Sequence, residues 1–177
     1  MALRKGHCYS KLERPYTRKS KVKSKSYIKA IPQSKISKFV MGNLQDYYAN
    51  KFNTCVSLVS SQEIQIRDNA IEASRILVLR ELTERVKNFC FLLSCYPHHV
   101  LREHKMLTGV GADRMQSGMK HSFGKPVSLA AQLRRGSKVF SVYCMSEEVE
   151  KVREILKKAT TKFPGKYKII VEKINTK

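Results

Sequence analysis

The stretch from Pro97 to Pro126, PHHVLREHKMLTGVGADRMQSGMKHSFGKP, holds four of the chain's five histidines and four of its eight glycines. Among Phe, Tyr and Trp it contains Phe123 alone. A segment with so few large apolar groups reads as an excursion from a packed scaffold and not as core, and such excursions are where binding residues concentrate. Apolar, strand-like runs flank it: Phe89 to Tyr96 (FCFLLSCY) before, Val127 to Leu133 after. Within it, Arg102 to Gly111 reads as a mobile loop, with Gly109 and Gly111 supplying backbone freedom. Ala112 to Ser122 reads as a short helix, with Ala112, Met115, Met119 and Phe123 on one face and Arg114 and His121 on another.

Working outward, Phe52 to Val59 (FNTCVSLV) is short, apolar and β-branched, which predicts a strand. Ser60-Ser-Gln-Glu63 has the spacing of a capping box and predicts a helix from about Gln62 to Lys87. Ile66, Ala70, Ala73, Leu77 and Val78 mark its buried face, and Arg67, Glu81, Glu84 and Arg85 its wet one. On the far side, Lys138 to Met145 is a strand joined to Val127–Leu133 by a turn at Arg134-Arg135-Gly136. Ser146 is expected to cap a helix with Val149, Val152, Leu156 and Ala159 inward, and Tyr167 to Ile174 forms a last strand. Strands and helices alternate without a regular βαβ repeat, so the class is α+β.

At 177 residues the chain fits one domain, residues 39–177, and an appended arm, residues 1–38. The formal charge of +21 belongs to a polyanion binder. Its distribution is uneven. The arm carries 12 cations against Glu13, residues 39–97 are neutral overall, residues 98–126 net +3 and residues 127–177 net +7. Arg18 to Ser26 (RKSKVKSKS) alternates cation and small residue, too little apolar surface to offset the entropy of ordering, so the arm is expected to be disordered alone. Its cations are interleaved with Tyr9, Tyr16 and Tyr27, and charge on phosphate with rings on bases suits RNA better than a membrane surface. The arm residues assigned to RNA are Arg4, Lys5, His7, Tyr9, Arg14, Tyr16, Arg18, Lys19, Lys21, Lys23, Lys25, Lys29 and Lys35. From the central stretch, His98, His99, Arg102, His104, Lys105, Arg114, Lys120 and Lys125 are added as contacts to phosphates, sugars and exposed bases.

Other chemistries are weaker. No run approaches the ~18 apolar residues of a membrane span, and the first residues lack the apolar segment of a secretory signal. Cys8, Cys55, Cys90, Cys95 and Cys144 form no disulfide or zinc-knuckle spacing, which fits a reducing interior. Cys90 and Cys95, an odd number apart on one strand, are expected on opposite faces, so neither a metal nor any other cofactor is assigned. A Cys–His or His–Asp pair drawn from Cys95, His98 and Asp113 has nothing to fix its geometry, so no catalytic residue is assigned, and an RNA-modifying enzyme using the His/Cys cluster (Cys90, Cys95, His98, His99, His104) stands only as an alternative. Gly109-Val-Gly111 continues with Arg114 where a dinucleotide fingerprint has glycine. The remaining alternative is a general basic nucleic-acid-binding protein.

The central stretch resembles the signature of a universal large-subunit ribosomal protein family, numbered ten in archaea and eukaryotes and sixteen in bacteria. The resemblance extends to Arg14-Pro15-Tyr16-Thr17-Arg18-Lys19, Met41-Gly42-Asn43, Gln65-Ile66-Arg67 and Ala70-Ile71-Glu72-Ala73, and the short C-terminus resembles archaeal members. Lys21 to Ser26 departs from the pattern as an insertion. The resemblance implies a two-layer α/β sandwich with a mixed or antiparallel sheet, two main helices, a short helix after the central loop, and an extended basic arm threaded among rRNA helices. It implies a cytoplasmic structural constituent of the large subunit, not an enzyme and not a homo-oligomer. Its partners would be rRNA, tRNA and neighbouring ribosomal proteins, without DNA or membrane. It further implies that Arg102, Glu103, His104, Lys105, Met106, Leu107, Thr108, Gly109, Val110, Gly111, Ala112, Asp113 and Arg114 face tRNA near the peptidyl transferase centre.

Overall fold

The run TCVSLVS buries all seven of its residues and forms the second of eight strands among the described residues. The computed structural model describes residues 4–104, 109–111, 114 and 123–174. Its strands are β1 (Val40–Gly42), β2 (Thr54–Ser60), β3 (Ile64–Arg67), β4 (Cys90–Leu93), β5 (His99–Glu103), β6 (Lys125–Leu133), β7 (Lys138–Cys144) and β8 (Tyr167–Lys173). Its α-helices are α1 (Leu44–Tyr48), α2 (Asp68–Arg85) and α3 (Val149–Thr160). Five strands form one sheet in the order β1-β4-β7-β2-β8, three form a second in the order β3-β6-β5, and every pairing is antiparallel. The α+β class expected from the element pattern is therefore present, but the strands divide into two sheets. Although β6 and β7 follow one another, they pair with different sheets, and the turn between them, with Gly136 at φ +87°, hands the chain across.

Period-2 alternation on β2, β4 and β7 puts Val56, Leu58, Phe91, Phe140 and Val142 on one face. The helices pack there, α2 with Ile71, Val78 and Leu82 and α3 with Val152, Ile155, Leu156 and Ala159. Phe91 and Phe140 meet edge to face at 5.1 Å. This sheet-and-helix pair is the two-layer core.

Helix α2 starts six residues later than the capping-box reading placed it. Ser60 ends β2, its Oγ donating to the Gln62 carbonyl at 2.6 Å, and Ile64 to Arg67 are a strand. Ile64 and Ile66 point into the core, and only after Arg67 does the chain coil. The helix's buried face is accordingly Ile71, Ser74, Arg75, Val78 and Leu82, while Ala73 is exposed. Ser146 does not cap α3; it lies in a short 3-10 turn and makes no side-chain bond to the helix start.

Two further expectations change. The central stretch is not wholly an excursion, since His99, Val100 and Leu101 are at most 2% exposed in β5. Arg102 and Glu103 end that strand, so the loop begins after them. The reading of Ala112 to Ser122 as a helix lies outside the described residues, Arg114 excepted. The arm, for its part, lies on the second sheet. Tyr9 is buried against Leu101 and Ala130, and Ile28 against Val100 and Leu129. Its end is tied to α2, where the buried Asp68 accepts from the Lys35 amide at 3.2 Å and Arg75 bonds both Glu72 (2.6 Å) and Ser37 Oγ (2.9 Å).

Candidate nucleic-acid interface

Strand β5 is an edge of the smaller sheet, and its outer side is met by the arm. The Val100 amide donates to the Tyr16 carbonyl, and the Tyr16 amide donates to His99 Nδ1, each at 3.0 Å. An unpaired edge is thus covered by a chain segment that Pro15 holds extended. Between Arg18 and Ile28 the arm makes a closed excursion, Ile28 N–H returning to the Arg18 carbonyl, and Lys21, Lys23 and Lys25 stand exposed on it. Lys21–Ser26 lies within this excursion, with a 3-10 turn over Lys23–Lys25.

Where arm and β5 meet, cations and rings alternate. The Arg102 guanidinium lies 4.3 Å from the ring centres of both Tyr16 and Phe123, and the Arg18 guanidinium 4.3 Å from that of Tyr27. Tyr16 and Phe123 themselves meet edge to face at 5.7 Å. These groups, with Arg14, line a concavity of about 400 Å³ whose walls hold no carboxylate. A guanidinium over a ring is attracted by the ring's quadrupole and keeps its N–H edge free for an anion. Tyr27 is 66% and Phe123 63% exposed, which leaves their faces open to stacking. Phe39, Tyr96 and the exposed His98 form another row of rings, with centroids 5.3 and 4.5 Å apart.

The residues assigned to RNA from sequence fall into three groups. Arg4, Lys5, His7, Arg14, Arg18, Lys21, Lys23, Lys25, Lys29, Lys35, His98 and Lys125 are exposed, and Lys19 and Tyr16 half-buried. Tyr9 and His99 are buried and leave the list of surface contacts. Tyr9 donates to Glu103, which Arg4 also approaches at 3.9 Å, so the base of the loop is pinned to the arm. His99 is held neutral because burial pushes its pKa below the ordinary value; Arg102 works in the same direction and Glu13, at 3.8 Å, in the opposite one. Lys105 to Thr108, Ala112, Asp113 and Lys120 lie outside the described residues. Of the loop, Gly109, Val110, Gly111 and Arg114 are exposed, with Gly111 at φ +83°, where a side chain would be strained. Gly124 closes the loop against β5, and a Cβ there would sit 2.2 Å from the Glu103 carbonyl carbon.

What the sequence reading missed is the pairing of Tyr27 and Phe123 with the cations. Tyr27 meets Arg18 within the arm's own Arg/Tyr interleaving, but Arg102, which meets Phe123 and Tyr16, is 86 residues from Tyr16. Cys90 and Cys95 are both buried, and burial pushes the Cys95 thiol up to about 12, which withholds it from nucleophilic chemistry at neutral pH. Among the described residues no three His, Cys, Asp or Glu side chains cluster as metal ligands, and no helix is long and apolar enough to cross a membrane.

Residues 12–170 match the family described as ribosomal protein L16p/L10e. The chain is 42% identical to the large ribosomal subunit protein uL16 of Sulfolobus acidocaldarius, covering 99% of this chain and 97% of that one. It is 39% identical to uL16 of Archaeoglobus fulgidus (98% and 95% covered) and 40% identical to that of Methanococcus aeolicus (98% and 96%). The chain belongs, as an archaeal-type member, to the L16p/L10e family of large-subunit ribosomal proteins.

Proposed function

We propose that this chain is a structural constituent of the cytoplasmic large ribosomal subunit that binds rRNA through its arm and the Arg102 ring cluster. On this reading the segment from Arg102 to Arg114, the end of β5 and the loop after it, faces tRNA near the peptidyl transferase centre, and rRNA, tRNA and neighbouring ribosomal proteins are the partners of a single copy. The supporting observation is the carboxylate-free concavity where Arg14, Arg18 and Arg102 stand among Tyr16, Tyr27 and Phe123. Guanidinium edges match phosphate and exposed rings match unpaired bases, the pair of contacts that single-stranded RNA offers. Residues 1–38 act as the RNA-embedded element: their apolar residues fasten to the body while their cations stand outward.

Binding to a large-subunit rRNA fragment containing unpaired loops tests the reading. Arg102→Ala is expected to weaken it about tenfold, the order of one lost stacked or charge-assisted contact; affinity unchanged by this substitution contradicts the assignment. For the loop, ribosomes carrying a chain shortened between His104 and Gly111, with Arg102 and Glu103 retained, should misplace tRNA or mature late. Normal translation by such ribosomes contradicts the tRNA-facing role.

A further inference from the structure

The arm covers both edges of the smaller sheet. Gln65 N–H of β3 donates to the Ser10 carbonyl at 3.3 Å, and Val100 N–H of β5 to the Tyr16 carbonyl at 3.0 Å. On the larger sheet β1 is an edge of only three residues, a length that discourages pairing. The other edge is β8, seven residues long, in unbroken register with β2 and without proline or bulge. Five of its seven residues are exposed.

Which backbone groups of β8 stand free follows from the two ends of its ladder. Ser61 N–H donates to the Lys166 carbonyl at 3.0 Å, and Ile174 N–H to the Asn53 carbonyl at 2.8 Å. Bonding residues alternate along an antiparallel pair. Lys168, Ile170 and Glu172 therefore turn their amides and carbonyls to β2, while Tyr167, Ile169, Val171 and Lys173 turn theirs outward. Among the described residues no backbone group meets those four. Side chains add to the pattern. Ile169 packs on the helix-side core, so Val171 shares that face and Ile170 the opposite one; the two are 42% and 41% exposed. Glu172 is held by Lys138 at 2.8 Å, whereas Lys168 and Lys173 have no carboxylate in ion-pair distance among the described residues.

These groups select the occupant. The outward set contains donors and acceptors in equal number. RNA phosphates accept hydrogen bonds and do not donate them, so they would serve the amides and leave the carbonyls. Ile170 and Val171 offer a phosphate nothing. An extended polypeptide serves both kinds of group and lays its side chains alternately on the two faces. A second copy would bring another chain of +21 against a lysine-flanked edge. We infer that β8 is the docking edge for an extended segment of another protein, added as a sixth strand, apolar opposite Ile169 to Val171 and acidic opposite Lys168 and Lys173. The inference goes beyond the RNA-binding reading, whose residues lie on the arm and the smaller sheet.

The test uses the full chain and two blocked seven-residue peptides at matched salt. Both carry valine, isoleucine and valine at the centre; one has glutamate and the other lysine opposite Lys168 and Lys173. The glutamate peptide is expected to bind about tenfold tighter, the sum of two cross-strand charge pairs. Val171→Pro removes an outward donor and none directed at β2, a change an edge strand tolerates, and should weaken that binding about tenfold. Lys168→Glu with Lys173→Glu, both exposed, should invert the preference between the peptides. Failure of either peptide to bind, or a glutamate preference that survives the reversal, overturns the inference, since the latter reports net charge alone. Dimerisation of the chain that Val171→Pro abolishes assigns the edge to a second copy and overturns it too. In purified large subunits, a photoreactive group on Ile170→Cys, in a Cys8→Ser background, should give a protease-sensitive adduct that Val171→Pro removes. A nuclease-sensitive adduct, or none, overturns the protein occupant; all these outcomes leave the RNA-binding reading intact.

Discussion

His99 shows how a residue chosen for its chemistry turns out to act through its burial. Histidine in a cationic stretch reads as an RNA contact, yet this one accepts the Tyr16 amide and fastens the arm to β5. Its lowered pKa gives a signed prediction. The unfolded chain takes up a proton near the ordinary histidine value of about 6.5, while the folded chain resists it. The contribution is therefore fully present above that value and is lost as pH falls below it. Thermal midpoints should drop from pH 7.5 to pH 5.5, and His99→Gln, which keeps an acceptor but cannot titrate, should flatten the drop. An undiminished slope in the variant contradicts the assignment. Arg102 is the second case. Two guanidinium–ring contacts at a half-exposed site are worth about 1–2 kcal/mol together. Arg102→Ala should lower stability by about that amount in urea unfolding, and Arg102→Lys by less, because an ammonium keeps the attraction to the rings while losing the flat stacking of a guanidinium. Residue identity was legible at both positions; the cross-sheet partners that set their roles were not.

Among the elements, the clearest misreading was β3, and it has a physical cause. In the run Glu63-Ile-Gln-Ile-Arg67, alternation is only four residues long and merges into a helix whose apolar spacing continues from Ile66 to Ala70. Four residues do not separate a period of 2 from one of 3.6. Longer elements declared themselves: β2 and β7 lie within one or two residues of their expected bounds, and α3 buries Val152, Leu156 and Ala159 as its spacing predicted. For the arm, composition was read correctly as poor in apolar residues, but the few present are the ones that anchor it. Ile28 is 2% exposed and Val22 52%. Ile28→Ala should cost about 2–3 kcal/mol, whereas Val22→Ala should fall within about 0.5 kcal/mol. Denaturant midpoints of the two variants decide the point; equal costs would mean that the arm does not dock where Val100 and Leu129 await it.

At the scale of the whole molecule, the charge partition carried the most information. A chain of +21 whose middle third is neutral divides labour between a core that packs like any other and a cationic margin. The structure locates that core between the five-stranded sheet and helices α2 and α3, and sets the arm's lysines outward on its surface. Binding of the full chain to an rRNA fragment, measured against salt concentration, tests this division most directly. Each phosphate neutralised by a cation contributes about 0.7–0.9 to the slope of log K against log salt. The account predicts that Lys21→Gln, Lys23→Gln and Lys25→Gln together reduce the slope by about two while leaving the unfolding midpoint unchanged. A slope identical to that of the parent chain would contradict it.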